Sequence, residues 1–237
     1  MKGFFLAGTD TGVGKTEIGR AICAALAGKG LHPVALKPVE TGCEPDHPGD
    51  ALALREACGS AQPLDEVCPY RFRLAAAPLV AAEAEGVQID LLRIERLVDR
   101  ATTPIVVEAA GGLLVPLARA ALSLDQTDPA DRAPAMAIVT NLDLADRLRL
   151  PVVLVGRAGL GTLNHCALSV DALERRSLPI AAVVLNRTVP DDDPSVATNA
   201  RWVADMTGAQ VIGPGPFVAD AAARPAALAH LIGRLLS

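Results

Sequence analysis

Lys15 and Thr16 close the stretch Gly8-Thr9-Asp10-Thr11-Gly12-Val13-Gly14-Lys15-Thr16, between the apolar run Phe4-Phe5-Leu6-Ala7 and an alanine-rich segment with helical spacing. A strand that turns through glycines into a helix aims backbone N–H groups and the positive end of a helix dipole at one point, which suits a polyphosphate. Lys15 supplies a point charge to the β- and γ-phosphates, and the Thr16 hydroxyl reaches the Mg2+ that accompanies them. The strict spacing needs glycine at position 9; Thr9 stands there and Gly8 comes one residue early, so the loop is a variant.

Four further places put polar groups at the ends of apolar runs. Lys37-Pro38-Val39-Glu40-Thr41-Gly42 follows Pro33-Val34-Ala35-Leu36, and Glu108-Ala109-Ala110-Gly111-Gly112 follows Pro104-Ile105-Val106-Val107. Asn186-Arg187 ends Ile180 to Leu185, and Thr162-Leu163-Asn164-His165 opens a helical pattern after Gly161. In open parallel sheets the carboxyl ends of the strands form the ligand-binding edge. Lys37 therefore falls near the phosphates, although a solvated lysine after a strand is the plainer reading of its position. Thr41 and Gly42 also suit a simple turn. Glu108, Thr16 and Asp50 supply the hard oxygens that Mg2+ takes; Asp50 equally suits an N-cap before Ala51-Leu52-Ala53-Leu54. Asn186 has the donor and acceptor to pair with adenine, or is a turn residue. The helix start at 161–164 has free N–H groups for an anion such as a carboxylate, or ordinary capping. His165 has no neighbouring nucleophile and acid, which leaves it a surface or interface residue.

The elements that must position these groups alternate. Residues 17–29 carry Ile18, Ile22, Cys23 and Leu26 on one helical face, and Gly30 ends it. Strand, helix and strand so close together make a βαβ unit, whose strands must be parallel. The fold class expected is α/β: a doubly wound, mainly parallel sheet flanked by helices, like a P-loop NTPase. Helices are expected over 79–85, 89–98, 195–206 and 220–236, and from a cap at Asn141 to Leu148; strands over 151–155 and at 210–212. The stretch from 55 to 77 shows no period, and 118–137 reads as a surface insertion without helix or strand pattern. The last helix, with Leu228, Leu231, Ile232, Leu235 and Leu236 on one face, is expected to pack on the sheet.

With 237 residues and no low-complexity linker, one domain is expected. A net charge of −5, few aromatics and no Lys/Arg run argue against a nucleic-acid partner. The five cysteines form no Cys-x-x-Cys pair and read as reduced thiols. No leader pattern and no long apolar run is seen, so the expectation is a cytoplasmic protein without a membrane partner.

Taken in chain order, the phosphate loop at 8–16, Lys37-Pro38-Val39 with Thr41-Gly42, Asp50-Ala51-Leu52-Ala53-Leu54, Glu108 with Gly111-Gly112, and Leu160-Gly161-Thr162-Leu163-Asn164-His165 resemble the dethiobiotin synthetase family. The loop alone would suggest only the wider group of variant P-loop ATPases. The resemblance implies an ATP- and Mg2+-dependent cyclo-ligase of biotin synthesis, a homodimer that closes 7,8-diaminononanoate and CO2 into a cyclic urea through a carbamate and its phosphoric anhydride. It further implies that Lys37 and Lys15 are catalytic. Gly12, Val13, Gly14, Lys15, Thr16 and Glu17 would hold the phosphates. Asp50, Glu108, Ala109, Ala110, Gly111, Asn186, Arg187, Gly215, Pro216 and Phe217 would complete the ATP site. Thr16, Asp50 and Glu108 would ligate Mg2+, Thr41 would touch the substrate, and Gly161, Thr162, Leu163 and Asn164 would receive its carboxylate from the neighbouring subunit. The family's usual Glu-Gly-Ala-Gly-Gly stands here as Glu108-Ala109-Ala110-Gly111-Gly112, so a methyl at 109 matters if that backbone needs positive φ. Partition and septum-placing ATPases share the fold, but they carry an early lysine in the phosphate loop, and positions 9–12 here have none.

Overall fold

The computed structural model describes residues 2–121, 136–190, 193–220 and 223–236. Its centre is a six-stranded sheet in the order β10-β9-β8-β1-β5-β2. These strands are β1 (Gly3–Gly8), β2 (Val34–Leu36), β5 (Ile105–Gly112), β8 (Val152–Arg157), β9 (Ile180–Asn186) and β10 (Val211–Ile212), and every pairing among them is parallel. Alternate residues face opposite sides. Phe5, Ala7, Val107, Leu154 and Leu185 join one buried cluster, while Phe4, Leu6, Val106, Val153, Val155 and Val184 join the other. Helices must therefore cover both faces, which is why the strands read as continuous apolar runs.

One face carries α1 (Lys15–Gly28), α2 (Gly49–Ala57) and α9 (Arg224–Gly233), which contribute Ile18, Ile22, Leu54 and Ile232 to the second cluster. The other carries α5 (Leu91–Arg100), α6 (Asn141–Leu148), α7 (Thr162–Arg175) and α8 (Val196–Thr207), which contribute Ile94, Leu144, Val170 and Val203 to the first. From β1 the chain goes to the edge strand β2, returns to β5 between them, and then crosses to β8 on the other side of β1, so the winding changes direction beside β1, whose carboxyl end bears the phosphate loop.

The structure departs from the sequence expectations in its short elements. Within 55–77 lie α3 (Leu64–Val67) and β4 (Tyr70–Phe72), and β4 pairs in parallel with β3 (Val39–Thr41) as a separate two-stranded sheet. Three-residue strands are too short to show a period. α4 (Pro78–Ala84) follows, with proline in its first turn. The surface-insertion reading of 118–137 fails at both ends: β6 (Pro116–Ala121) and β7 (Met136–Thr140) form an antiparallel ladder, and residues 122–135 lie outside the described ones. The last helix is described only from Arg224 to Gly233, shorter than expected; its Leu228 and Ile232 are buried against the sheet.

One cap also differs. The cap of α6 is Thr140, whose hydroxyl accepts from Asp143 N while Asp143 Oδ2 accepts from Thr140 N at 2.8 Å, a reciprocal capping box. Asn141 instead is buried and donates its side-chain amide to Ala110 O and Gly112 O, both at 2.8 Å. It pins the end of β5 beside the phosphate loop. Asn141→Ala orphans two carbonyls at about 1 kcal/mol each, and we expect a melting temperature lower by about 4–8 °C in calorimetry; an unchanged melting temperature would show that the pin carries no load.

Candidate active site

The loop 9–14 joins β1 to α1 with Gly12 at φ 72° and Gly14 at φ 88°, conformations that side chains disfavour. Gly14 is the N-cap of α1 and leaves the first helical N–H groups without a side-chain acceptor, which is the arrangement an anion completes. A Cβ at Gly14 would also lie 2.1 Å from Asn186 Nδ2. Gly14→Ala therefore combines about 1–3 kcal/mol of backbone strain with a collision. We expect ATP affinity at least about tenfold weaker by calorimetric titration; unchanged affinity would mean that the loop adjusts freely.

Lys15 is buried, and its Nζ donates to Asp10 O at 3.0 Å, so the ammonium folds back over the loop. Burial, with the Lys37 ammonium nearby, lowers its pKa to about 8. Polyphosphate charges arriving at this point favour the protonated form.

Below the loop lies a compact ionic group. Lys37, 3% exposed, follows β2 and donates to Asp50 Oδ2 at 2.9 Å and to Glu108 Oε1. Thr16 Oγ1 donates to the same Glu108 Oε1 at 3.0 Å. Burial pulls the Lys37 ammonium down, but the Glu108 and Asp50 carboxylates outweigh it and hold the group above its ordinary value. Burial pushes the Asp50 carboxyl up, and Lys37 more than reverses that, leaving it below the usual range. Glu108 is 0% exposed, and its Oε2 has no hydrogen-bond partner among the described residues. One threonine hydroxyl and two carboxylates thus converge around a buried cation, with an oxygen left over, and this donor chemistry fits Mg2+.

These groups line a cleft of about 790 Å³ together with Thr11, Gly12, Gly14, Glu17, Glu40, Thr41, Ala110, Gly111, Asn186, Arg187, Pro216 and Phe217. Val39, Ala75, Ala76, Ala77, Pro78 and Val115 are among its apolar lining. Most residues singled out in the sequence therefore meet in one place. Val13 and Ala109 do not line the cleft; their side chains are in the two cores. Gly215 lies just behind it, donating its N–H to Leu185 O. Gly161, Thr162, Leu163 and Asn164 begin α7 away from this cleft, with Gly161 and Asn164 exposed. Positive φ falls at Gly111, 78°, and at neither Ala109 nor Ala110, so the methyl at 109 is accommodated as an ordinary core contact.

The structure also corrects one reading, gives Asn186 a partner in the loop and adds three residues. Asp50 is not the N-cap of α2; Pro48 is, and Asp50 stands in the first turn with its side chain free for Lys37. Asn186 Nδ2 donates to Val13 O at 3.1 Å, tying the end of β9 to the phosphate loop. Arg224 donates through Nε to Val218 O at 2.7 Å and through Nη2 to Ala219 O at 3.1 Å, and its Nη1 lies 3.7 Å from Glu17 Oε1, so it fastens the segment after Phe217 to α1. Glu40, inside the lysine motif, is buried and caps α2 from outside. Asn141 holds 110–112. Apart from the local bonds of Arg224 to Val218 and Ala219, these contacts join residues of different elements and leave no sequence signal.

A family model described as "AAA domain" matches residues 2–133 and 127–224. The ATP-dependent dethiobiotin synthetase BioD of Anaeromyxobacter dehalogenans strain 2CP-C is 46% identical, over 98% of this chain and 97% of its own. The protein of the same name from Thermodesulfovibrio yellowstonii is 31% identical over 92% and 90%. A solved structure, chloroplast FtsY from Physcomitrella patens, has a TM-score of 0.43 at 15% identity, covering 95% of this chain and 64% of that one. At such identity over nearly the whole of both chains, the chain belongs to the ATP-dependent dethiobiotin synthetase family.

Proposed function

We propose that the protein, acting as one domain per subunit, closes the ureido ring of dethiobiotin from 7,8-diaminononanoate, CO2 and ATP. The observation that carries this reading is the buried Lys37 between Asp50 and Glu108, directly beneath a phosphate loop ending in Lys15-Thr16. A switch ATPase needs the loop; it does not need a second, buried ammonium facing the γ-phosphate position.

One amine of the diamine takes up CO2 and loses a proton, giving a carbamate. A carbamate oxygen attacks the γ-phosphorus and ADP leaves; the second amine then attacks the carbamate carbon and expels phosphate. Two anions must approach each other in the phosphorylation step, so charge screening is the main task of the site. Lys15 and the N–H groups at the start of α1 hold the β- and γ-phosphates. Lys37 reaches both the transferring phosphoryl group and the carbamate oxygen, and its carboxylate partners keep it charged and aimed. Thr16, Asp50 and Glu108 would hold Mg2+, which when bound would supply further neutralisation of phosphate charge. The adenosine end lies along Asn186, Arg187, Pro216 and Phe217 with Gly215 behind. Thr41 contacts the diamine, whose carbon chain follows the apolar residues of the lining.

In this reading the substrate carboxylate lies on the start of α7, Gly161 to Asn164, of a second subunit, and the active species is a homodimer. Exposed Leu160 and Leu168 beside that helix start suit an interface. The five free cysteines suit a reducing cytoplasm, and among the described residues no helix is long and apolar enough to cross a membrane. The chemistry is tested with 18O-labelled bicarbonate. Phosphate released in turnover is expected to carry one labelled oxygen, transferred from the carbamate; unlabelled phosphate accompanying dethiobiotin would show that the carbamate is never phosphorylated.

A further inference from the structure

Asp50 is poorly held by its own surroundings. Its side chain is 45% exposed, it follows Gly49 in the first turn of α2, and the N-cap, Pro48, has no side-chain acceptor for the helix's free N–H groups. A glycine start without a cap frays, and the fray would carry Asp50 with it.

Glu40 of β3 supplies what Pro48 lacks. Its Oε1 accepts from Asp50 N at 3.1 Å and its Oε2 from Ala51 N at 2.9 Å, so both oxygens of one carboxylate are spent on consecutive N–H groups at the positive end of α2. The first turn then continues normally, with Leu52 N donating to Pro48 O at 3.0 Å. Lys37, three residues before Glu40, grips the Asp50 carboxylate. One connection, from Lys37 to Glu40, thus holds Asp50 at its backbone and at its side chain. Glu40 is only 7% exposed, although it borders the cleft. A buried carboxylate is a costly cap where serine or aspartate at position 48 would serve the helix alone. What those residues could not do is tie α2 to β3, which follows directly on Lys37.

We infer that Glu40 is a positioning residue, which fixes the Asp50 carboxylate in its place at the metal by capping α2 from β3. This rests on the assignment of Asp50 as a Mg2+ ligand. Removing such an outer partner of a metal ligand typically weakens metal binding about 10–100-fold.

The test is Mn2+ binding, read by electron paramagnetic resonance on the full chain with a non-hydrolysable ATP analogue, beside the Mg2+ dependence of turnover. Glu40→Ala is expected to bind Mn2+ about tenfold more weakly and to need correspondingly more Mg2+ for half-maximal turnover, with kcat recovered at saturating Mg2+. Glu40→Gln, which keeps one acceptor oxygen, is expected to fall between, and carries the test if the alanine variant does not fold. Parental Mn2+ affinity in the folded variants, whatever the change in melting temperature, would reduce Glu40 to a structural cap and overturn the inference. Asp50→Asn separates the two assignments. If it weakens Mn2+ while the Glu40 variants do not, only the positioning role falls; if it too leaves Mn2+ binding unchanged, Asp50 is not a ligand and both fall.

Discussion

Lys37→Ala is expected to lower kcat by about 10²–10³-fold, the usual cost of removing one preorganised donor from developing charge, while ATP binds within about threefold of its parental affinity. The two readouts part because Lys37 does not belong to the phosphate loop. Its Nζ is held by Asp50 and Glu108, whereas Lys15 Nζ is held within the loop by Asp10 O. Removing the ammonium leaves the 0%-exposed Glu108 carboxylate without its ion-pair partner, so some stability is lost as well. Thermal melting therefore accompanies the kinetics. Equal kcat in a folded Lys37→Ala protein would take Lys37 out of the reaction.

Glu108→Ala is expected to act on stability and on metal together. The carboxylate is fully buried and accepts from Lys37 and from Thr16, the latter at 3.0 Å. Without it, Lys37 stays buried with Asp50 as its remaining partner, and breaking a buried pair from one side costs about 3–5 kcal/mol. For a chain of this length that corresponds to a melting temperature lower by about 10 °C. Chemical denaturation should give the same loss as a lower midpoint with an unchanged slope. The surviving folded protein is expected to need much more Mg2+ for turnover. An unaltered Mg2+ titration would retire Glu108 as a ligand, and an unaltered midpoint would mean that the Lys37 pair contributes nothing to the fold.

Elements whose whole length is one physical signal are legible in the sequence. β1, β5, β8 and β9 are apolar on both faces because helices cover both, and α1 and α7 follow glycine turns that announce them. The phosphate loop, Lys37 and Glu108 are legible because strand ends of a parallel sheet share one edge, and Asp50 because an acid opens a helical pattern. Elements stabilised from elsewhere are not. β3 and β4 are three residues each and exist by pairing with one another. Thr140 and Asn141 are both good caps by type; the deciding sign was Asp143, three residues after Thr140, as a capping box requires. Glu40 lay in plain view beside Lys37, yet its partner N–H groups belong to a helix that begins nine residues later. A cap contributed by another strand leaves no local pattern.

If phosphate transfer from ATP is spent on ring closure, phosphate release measured with 7,8-diaminononanoate and bicarbonate added singly and together requires both compounds. With the organic product followed by mass, dethiobiotin is expected one for one with phosphate. Slow release indifferent to either compound, with no dethiobiotin, would contradict it and point to a nucleotide-driven switch on the same fold.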